Sequence, residues 1–210
     1  MKNNTEHYSD TEQKILEAAQ EVFLNKGMEG SRMQEIADEA GINKALLHYY
    51  FRSKEKLFME VIKSHVGDFI PKVFNILWED LPIDKKIKKF ADEYISFIMQ
   101  NPNLPWFFIN VLHQNPEMIL SVIKIADALN IEDLQKLLNA EMRKGVIKKV
   151  EAHHFIITLF SLCIFPSISG PLLKLIFELS DDEFNNILNE RKKIVPQIML
   201  SWLKYKDDKK

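Results

Sequence analysis

The sequence predicts an all-α protein with a small amino-terminal domain and a larger second domain. Its 210 residues include only six glycines, and no alternating apolar and polar run is bounded by turn residues, as a strand would require. A hydrophobic fraction of 46% is enough to build a sizeable core. We expect one domain over residues 1–53 and a larger helical domain over residues 54–210.

The first predicted helix covers residues 11–27 and reads TEQKILEAAQEVFLNKG. Ser9 and Glu12 precede it with the spacing of a capping box, and Gly27 follows its last turn, where helices commonly end on glycine. One face of the helix is apolar and carries Ile15, Ala19, Val22 and Phe23. We expect that face to pack against the rest of the small domain.

Residues 33–56 read MQEIADEAGINKALLHYYFRSKEK and have the layout of a helix-turn-helix that runs into a third helix. Ala37 and Gly41 lie four residues apart, as the close crossing of two short helices requires. Gly41 falls where the chain must reverse, so we expect it to adopt a positive φ. The expected core between the helices consists of Ile36, Ala40, Ile42 and Leu47. An ordinary helical corner would have the same spacing, but the flanking segments favour a DNA-reading motif.

The outward face of the second motif helix carries polar or small side chains suited to a DNA groove. Lys44 and Ala45 begin that helix, so we expect them to reach base edges, where lysine can pair with guanine and a methyl group can contact thymine. The residues one turn later, which can donate ring N–H or phenol O–H groups to phosphates, are His48, Tyr49 and Tyr50. At least one of Tyr50 and Phe51 must instead pack inward.

Two positions beside the motif are also candidates for phosphate contact. Ser31 can cap the first motif helix together with Gln34, and its hydroxyl is within reach of a phosphate. Ser53 can cap the helix that follows the motif. Lys54 then lies at the amino terminus of that helix, where free N–H groups and the helix dipole favour an anion.

These segments resemble the tetracycline-repressor (TetR) family of bacterial regulators over about residues 9–63. The matching pieces are ILEAAQEVFLNKG, MQEIADEAGINKALLHYYF and KEKLFMEVI, in the order and spacing of that family. The resemblance implies a three-helix DNA-binding domain joined to an all-helical domain that dimerises and usually encloses an inducer pocket. It also implies DNA contact at the positions that commonly touch DNA in TetR-like proteins, here Ser31, Lys44, Ala45, His48, Tyr49 and Lys54.

Charge is distributed unevenly along the chain. The net charge is −2 and the pI is about 6.3, which is not the overall signature of a nucleic-acid binder. Residues 1–42 carry four basic and nine acidic side chains, a net charge of −5, whereas residues 43–63 carry five basic and two acidic ones, a net charge of +3. A solvated helix face explains most charge runs, but the position beside the helix-turn-helix favours DNA here. The small excess predicts modest non-specific affinity.

The remaining helices are bounded by proline, glycine and capping residues, and we expect them at about residues 54–77, 85–100, 103–113, 132–144, 151–165 and from 181 to the carboxyl-terminal tail. Pro71 can bend the first of these. Pro166 and the loop at residues 167–171 should end the helix at 151–165. The last helix opens with a capping box at Ser180, and Pro196 should either kink it or split it.

Two carboxyl-terminal segments are unusually apolar for a monomer. Residues 151–165 are apolar nearly all round the helix, and the final helix repeats apolar residues with near-heptad spacing. Paired across a two-fold axis, helices at about residues 151–178 and 181–204 would form the four-helix dimer interface that is usual in TetR-like proteins. A simple core helix explains residues 151–165 almost as well.

The second domain is rich in aromatic side chains that could line a ligand pocket. The candidates are Phe74, Trp78, Trp106, Phe107, His113, Met118 and Phe155, with Phe108 and Phe160 beside them. Aromatic residues at helical spacing more often fill a core than line a pocket. No charged cluster accompanies them in the sequence, so we expect an apolar or amphipathic small molecule.

Other functional classes find little support in the sequence. His153 and His154 are adjacent, so their side chains diverge by about 100° on a helix and cannot chelate one metal ion together. No metal-ligand spacing, phosphate loop or catalytic constellation is present in the sequence, so we expect no metal, no cofactor and no enzyme activity. Cys163 is the only cysteine, and its apolar surroundings favour an inert core thiol over a redox sensor.

The sequence also predicts a soluble, cytoplasmic protein without a membrane partner. The longest nearly unbroken apolar stretch, residues 155–165, is shorter than the roughly 20 residues of a membrane span, and no signal peptide is visible. A single cysteine excludes a disulfide framework and suits the cytoplasm.

We interpret the chain as a DNA-binding transcriptional regulator. The leading hypothesis is a repressor that a small-molecule inducer releases from a palindromic operator. Its partners would be double-stranded operator DNA, a second copy of the chain and that inducer. The alternative is a helical small-molecule carrier or interaction protein with a vestigial helix-turn-helix, which only the acidic first 42 residues support. An enzyme would rest on the possible pocket alone.

Overall fold

A computed structural model describes residues 9–67, 69–114, 117 and 129–204, and within these ranges the chain is helical and contains no strand. The predicted all-α fold is therefore confirmed. The described helices are α1 (Asp10–Gly30), α2 (Met33–Glu39), α3 (Lys44–Tyr50), α4 (Lys54–Val66), α5 (Phe69–Asn75), a 3₁₀ turn (Ile76–Trp78), α6 (Ile83–Gln100), α7 (Leu104–Gln114), α8 (Ile131–Arg143), α9 (Ala152–Ile168), α10 (Gly170–Ile176) and α11 (Asp181–Leu203).

The chain forms two compact units. One consists of Met1–Phe69 with Asn110–Ile123, and the other of Ile70–Ile109 with Lys124–Lys210. Helix α4 thus belongs to the first unit by its packing. The division into domains after residue 53, which we expect on functional grounds, stays a prediction.

In the first unit, α1 packs against α2 and α4. The predicted capping box begins α1, since the Ser9 N–H donates to the Glu12 carboxylate at 2.8 Å and the Glu12 N–H donates to the Ser9 hydroxyl at 3.3 Å. The Phe23 and Phe58 rings meet edge to face with their centroids 4.8 Å apart, which joins α1 to α4. Gly27 leaves the helical path with a φ of +68°, as a glycine at a helix end should, and a short further turn continues to Gly30.

The predicted single helix over residues 54–77 is wrong. Helix α4 ends at Val66 before Gly67, and α5 begins at Phe69. Pro71 is the third residue of α5, within the first turn, where the N–H that proline lacks would have no partner in the helix. The chain therefore divides before Pro71, and the proline sits at the start of a helix instead of bending one.

The second unit is built around α6, which packs against α11 and α9. The buried face of α6 carries apolar residues at intervals of three and four, including Ile83, Ile87, Phe90, Ala91, Tyr94, Ile95 and Ile98. Four rings meet beside it. The Phe160 centroid lies 4.9 Å from that of Tyr94 and 6.4 Å from that of Phe74, and the centroid of Phe90 lies 6.0 Å from Phe74 and 5.9 Å from Tyr94.

Two prolines lie inside helices of this unit without ending them. Helix α9 continues through Pro166 to Ile168, and Ser169 alone separates it from α10, so the predicted helix end at Pro166 and the predicted loop at residues 167–171 are wrong. Pro196 lies within α11, which runs unbroken from the confirmed capping box at Ser180, so the predicted split does not occur.

No single helix in the described ranges is long and apolar enough to cross a membrane. Helices α9 and α10 pass that test only as a pair, by length and composition, and they are bent by 64° where they join.

Candidate nucleic-acid interface

The turn between α2 and α3 has the geometry of a close helix crossing. Ala37 is fully buried, and its carbonyl oxygen accepts a hydrogen bond from the Ile42 N–H at 2.9 Å. Gly41 has a φ of +66°, as predicted, and a Cβ placed there would meet no atom within 4 Å. Glycine is therefore required by backbone conformation and not by lack of space. Of the predicted core, Ile36 and Leu47 are buried, while Ala40 and Ile42 are only half-buried.

The start of α3 presents an exposed face. Asn43 caps the helix by accepting a hydrogen bond from the Leu46 N–H at 2.8 Å. Leu47 turns inward, and this leaves exposed the four residues Lys44, Ala45, His48 and Tyr49. Tyr49 is 78% exposed, a large accessible surface for an aromatic side chain of a small helical domain.

Tyr50 and Phe51 differ in their burial. Phe51 is buried and Tyr50 is half-buried, so Phe51 is the residue that packs inward. The rings of Tyr49 and Tyr50 meet edge to face with their centroids 5.4 Å apart. This contact favours a fixed position for the otherwise exposed Tyr49 ring.

Ser31 does not have the position that the sequence predicts. It is buried, and its hydroxyl donates to the carbonyl oxygen of Gly27 at 2.5 Å. The residue at the amino-terminal cap of α2 is Arg32, whose N–H donates to the Glu35 carboxylate at 3.2 Å. The predicted cap formed by Ser31 with Gln34 is therefore wrong. Gly27 leaves the helical path at the end of α1, which frees its carbonyl oxygen for the serine hydroxyl.

Lys54 has two partners within the first unit. Its ammonium donates to the carbonyl oxygens of Ser31 at 3.1 Å and Glu29 at 3.4 Å, at the junction of α1 and α2. The predicted cap by Ser53 is present, because its hydroxyl accepts from the Lys56 N–H at 3.2 Å. Lys54 thus holds the start of α4 against the α1–α2 junction, a role that the sequence did not reveal because the partners are 23 and 25 residues away.

Two acidic residues, Glu35 and Glu55, have partners that the sequence did not predict. Glu35 forms an ion pair with Lys26 at 3.1 Å, and the hydrogen bond from Lys26, followed by that from the Arg32 N–H, holds the pKa of Glu35 below its ordinary value. Glu55 accepts hydrogen bonds from its own N–H and from the Ser53 hydroxyl, and these lower its pKa. A carboxylate therefore already lies at the amino terminus of α4. The position of Glu55 in the first turn of α4 could have predicted this placement, because acidic residues are favoured in a first turn.

The candidate pocket residues fall into different environments. Phe74 and Phe155 are buried, and Phe74 belongs to the ring cluster with Phe160. Trp106 and His113 are exposed, and the Trp78 side chain is 36% exposed. Met118 and the side chains of Phe107 and Phe108 lie outside the described residues.

Two titratable groups are buried within the second unit. Burial raises the pKa of the Tyr94 phenol above its ordinary value, and it raises the pKa of the Cys163 thiol to about 12. Both groups are therefore neutral at physiological pH. A protonated, buried thiol is a poor nucleophile, as expected for a core cysteine.

Residues 15–61 match the family described as bacterial regulatory proteins, tetR family. The matched segment is a little over a fifth of the chain. The match covers most of α1 and all of α2 and α3, together with the first part of α4, and so includes the whole of the exposed face described above.

Curated relatives of this chain are regulators of transcription. The HTH-type transcriptional activator FasR of Mycolicibacterium smegmatis is 32% identical over 84 residues, which are 40% of this chain and 38% of the activator. The fatty acid metabolism regulator protein of Bacillus subtilis is 24% identical over 140 residues, 63% of this chain and 71% of that protein. The chain thus matches little more than a third of the length of FasR. These relatives support the regulator over the carrier with a vestigial motif.

Solved structures share the fold over nearly the whole chain. A fatty acid metabolism regulator of Clostridium perfringens superimposes with a TM-score of 0.70 at 24% identity, covering 92% of this chain and all of that one. FadR of Bacillus subtilis, solved in complex with stearoyl-CoA, superimposes with a TM-score of 0.63 at 19% identity, covering 91% of this chain and 98% of that one. At these identities the likeness establishes the fold alone.

Proposed function

We propose that this protein is a TetR-family repressor that binds a palindromic operator as a homodimer and leaves it when a small apolar or amphipathic ligand binds. Residues 1–53 would read the DNA, and residues 54–210 would dimerise and bind the ligand. The observation that carries the proposal is the exposed face of α3, four polar or small side chains on a helix that is capped and anchored by a buried Leu47.

The start of α3 is the part of a recognition helix that enters the major groove first. The Lys44 ammonium can reach guanine O6 and N7, and the Ala45 methyl group can contact a thymine methyl. His48 and Tyr49 lie one turn later, and both are exposed donors suited to phosphate oxygens. Tyr50 is half-buried, and we assign it a secondary contact through its edge-to-face packing on Tyr49.

Ser31 and Lys54, the two other residues that the sequence predicts as phosphate contacts, already have hydrogen-bond partners within the protein. The Ser31 hydroxyl is buried and bonded to Gly27, so we omit it from the proposed phosphate contacts. Lys54 uses its ammonium to bind two carbonyl oxygens, and we propose that the remaining N–H reaches a phosphate.

A second copy of the chain is the proposed partner of an apolar surface on α9, α10 and α11. Its members are large apolar side chains that are more than a third exposed, namely Ile157, Phe165, Leu172, Leu175, Ile176, Phe177, Ile187, Ile194 and Ile198. An apolar set of this size on consecutive helices exceeds what single scattered residues explain. An isologous pairing would bury it on both copies. We expect the two half-sites of the operator to lie about one DNA turn, or a small multiple of it, apart.

The proposed ligand carries a long acyl chain. The ring cluster of Phe74, Phe90, Tyr94 and Phe160 provides apolar contacts inside the second unit, and a curated relative regulates fatty acid metabolism. A ligand can release DNA only if it binds the released conformation more tightly than the bound one. Long-chain acyl thioesters and free fatty acids are therefore the first compounds to test.

The deciding experiment is a gel shift with the DNA that flanks the protein's own gene. We expect a discrete complex with a sequence-specific footprint of two half-sites, and its loss when oleoyl-CoA is added. Sedimentation should show a dimer at micromolar concentration, and Leu175→Glu with Ile176→Glu should shift it toward monomer. Specific binding by a monomer would contradict the proposed dimer, and the absence of any sequence-specific complex would contradict the proposed function.

A further inference from the structure

Segments that are distant in sequence meet at one end of the second unit. Near the start of α6, the Lys86 ammonium donates to the carbonyl oxygen of Leu77 in the 3₁₀ turn at 2.7 Å. Lys86 also interacts electrostatically with Glu141 and Lys144 at the end of α8. The 3₁₀ turn, the first turns of α6 and the end of α8 therefore lie together.

The end of α11 joins the same place. The Lys148 N–H donates to the carbonyl oxygen of Leu203 at 2.8 Å, and the Lys148 ammonium lies 5.7 Å from the centre of the Trp202 ring. The segment between α8 and α9 thus links the carboxyl terminus of α11 to the turn where α8 ends. We call the residues 76–89, 141–151 and 202–204 the basic end.

The basic end concentrates positive charge in a chain that is acidic overall. It carries nine basic and five acidic side chains, a net charge of +4, whereas the whole chain has a net charge of −2. The rest of the chain therefore has a net charge of −6. The DNA-reading helices do not account for this positive charge, because the basic end lies in the other unit.

Part of the acidic charge at the basic end is neutralised within it. Lys89 binds both carboxylate oxygens of Glu79, at 2.6 and 2.8 Å, and Lys144 binds Glu141 at 2.7 Å. Other basic side chains of the basic end are exposed, namely Lys85, Lys88, Arg143, Lys149 and Lys204. Asp80 and Glu151 are also exposed, so the basic end presents an excess of basic over acidic side chains to solvent.

Exposed apolar side chains accompany this charge on two separate loops. Trp78 is the last residue of the 3₁₀ turn and is 36% exposed, and Leu81, between that turn and α6, is 38% exposed. Val146, on the segment after α8, is 48% exposed. Tryptophan and aliphatic side chains flanked by lysines are typical of surfaces that settle into the interface of a bilayer.

We propose that the basic end binds the surface of an anionic lipid bilayer. Anionic headgroups complement the net positive charge, and the fluid layer beneath them accepts apolar side chains from two loops without requiring matched pockets. A nucleic acid offers the anions but no apolar layer for Trp78, Leu81 and Val146. The sequence predicts no membrane partner, and the proposal departs from that prediction because the basic residues are divided among three segments of the sequence. It is also independent of operator binding, so the outcome of its test does not depend on the proposed function.

The test is partitioning of the full-length protein onto large unilamellar vesicles. Vesicles of phosphatidylglycerol and phosphatidylcholine in equal amounts should co-sediment the protein at low salt, and pure phosphatidylcholine vesicles should not. Binding should weaken steeply as NaCl rises, because headgroup attraction is screened. Tryptophan emission should shift to the blue on binding, since Trp78 lies among the residues proposed to enter the interface.

Matched variants locate the surface. Lys85→Glu with Lys88→Glu should lower partitioning at least tenfold, because each basic residue near an anionic surface contributes about a fivefold increase. Lys44→Glu with Lys56→Glu makes the same change in net charge within the basic segment at residues 43–63, and it should leave partitioning within twofold. Leu81→Ser with Val146→Ser should reduce binding several-fold and leave its salt dependence in place. Far-UV circular dichroism and melting temperature verify that each variant is folded.

Three outcomes would overturn the proposal. Equal binding to both vesicle compositions would mean that headgroup charge is not recognised. A greater loss with Lys44→Glu and Lys56→Glu would place the lipid contact on the DNA-reading face. Stoichiometric binding of coenzyme A that depends on Lys85 and Lys88, with no vesicle binding, would make the basic end a site for a soluble phosphate compound.

Discussion

Arg191 on α11 donates two hydrogen bonds to the one carbonyl oxygen of α9 that Pro166 leaves without a donor. In a regular helix the carbonyl oxygen of Leu162 would accept from the N–H of residue 166, and proline has none. The Arg191 guanidinium donates to that oxygen from Nη2 at 2.6 Å and from Nε at 3.2 Å. The contact satisfies a carbonyl that would otherwise be orphaned, and it joins the two longest helices of the proposed dimer surface.

Replacing Arg191 with Ala should destabilise the protein by about 1.5–3 kcal/mol, the range for a hydrogen bond to a charged group, here lost between part-buried partners. The measurement is urea unfolding at a fixed protein concentration, because dimer formation would make stability depend on concentration. Lys193→Ala, on an exposed position two residues away, is the matched control and should change the free energy of unfolding by less than about 0.5 kcal/mol.

The same interaction can be tested by a double-mutant cycle. Pro166→Ala restores a backbone N–H that can bond to the Leu162 carbonyl within α9, so Arg191→Ala should cost less in that background than in the parent. If the cost of Arg191→Ala is the same in both backgrounds, Arg191 contributes through packing and not by replacing the missing donor.

Local signals predicted the starts of α1 and α11 and the turn at Gly41 correctly, but they failed for the cap of α2. The capping boxes at Ser9 and Ser180 are present, and Gly41 has its positive φ, because each depends on neighbours three or four residues away. The prediction that Pro166 ends α9 was wrong for the opposite reason. Whether a proline ends a helix depends on a donor elsewhere in the chain, and Arg191 has no sequence signal that connects it with Leu162.

Gly41→Ala should destabilise the protein by about 1–2 kcal/mol, the cost of a left-handed conformation for a residue with a Cβ. A Cβ at position 41 meets no atom within 4 Å, so this is a backbone effect. Gly41→Asn should cost less, because asparagine tolerates that conformation better. Thermal unfolding measures both changes.

Gly30→Ala is the control for this glycine. Residue 30 has no positive φ, and a Cβ there would make only an ordinary contact of 3.5 Å with Lys26 Cβ. Alanine should therefore be neutral or slightly stabilising. Equal losses at positions 30 and 41 would contradict the conformational explanation.

The stability of the first unit should decrease in acid in part through Glu35. Its folded-state pKa is below the ordinary value of 4.5, so the unfolded chain binds the proton more tightly. The contribution of Glu35 is therefore complete above pH about 4.5 and is lost as the pH falls through the lower folded-state pKa. Glu35→Gln should remove this part of the acid sensitivity, as measured by urea unfolding between pH 3 and 7.

Glu39→Gln provides the comparison for Glu35→Gln, because it removes one exposed carboxylate from the same helix. It should leave the pH profile close to that of the parent. If the two variants flatten the profile equally, the effect is one of net charge and not of the ion pair between Lys26 and Glu35.

The side chains that form the candidate interface were partly accessible to sequence analysis. Lys44, Ala45, His48 and Tyr49 were predicted to be exposed because they follow from the period of one short helix, and the structure has them exposed. The orientation of Ser31 was not predictable in this way, because it depends on the free carbonyl oxygen of Gly27. The basic end was missed because it assembles from three separate segments.

Lys44 and Lys54 should differ in what they contribute to operator binding. Lys44→Ala should cost about 1–3 kcal/mol at the operator and relax the preference at one base position per half-site, because its ammonium is placed to read a base edge. Its exposure predicts little change in melting temperature. Binding to a randomised operator library measures the preference at each position.

Lys54→Ala should weaken binding to all sequences alike and reduce the salt slope by about one per chain, as the loss of a phosphate contact does. It should also lower the melting temperature, since the ammonium holds the carbonyl oxygens of Ser31 and Glu29. A lower melting temperature with an unchanged salt slope would make Lys54 a positioning residue that never reaches the phosphate. If Lys44→Ala and Lys54→Ala instead change the library profile in the same way, the division between base reading and phosphate contact is wrong, and α3 docks in another orientation.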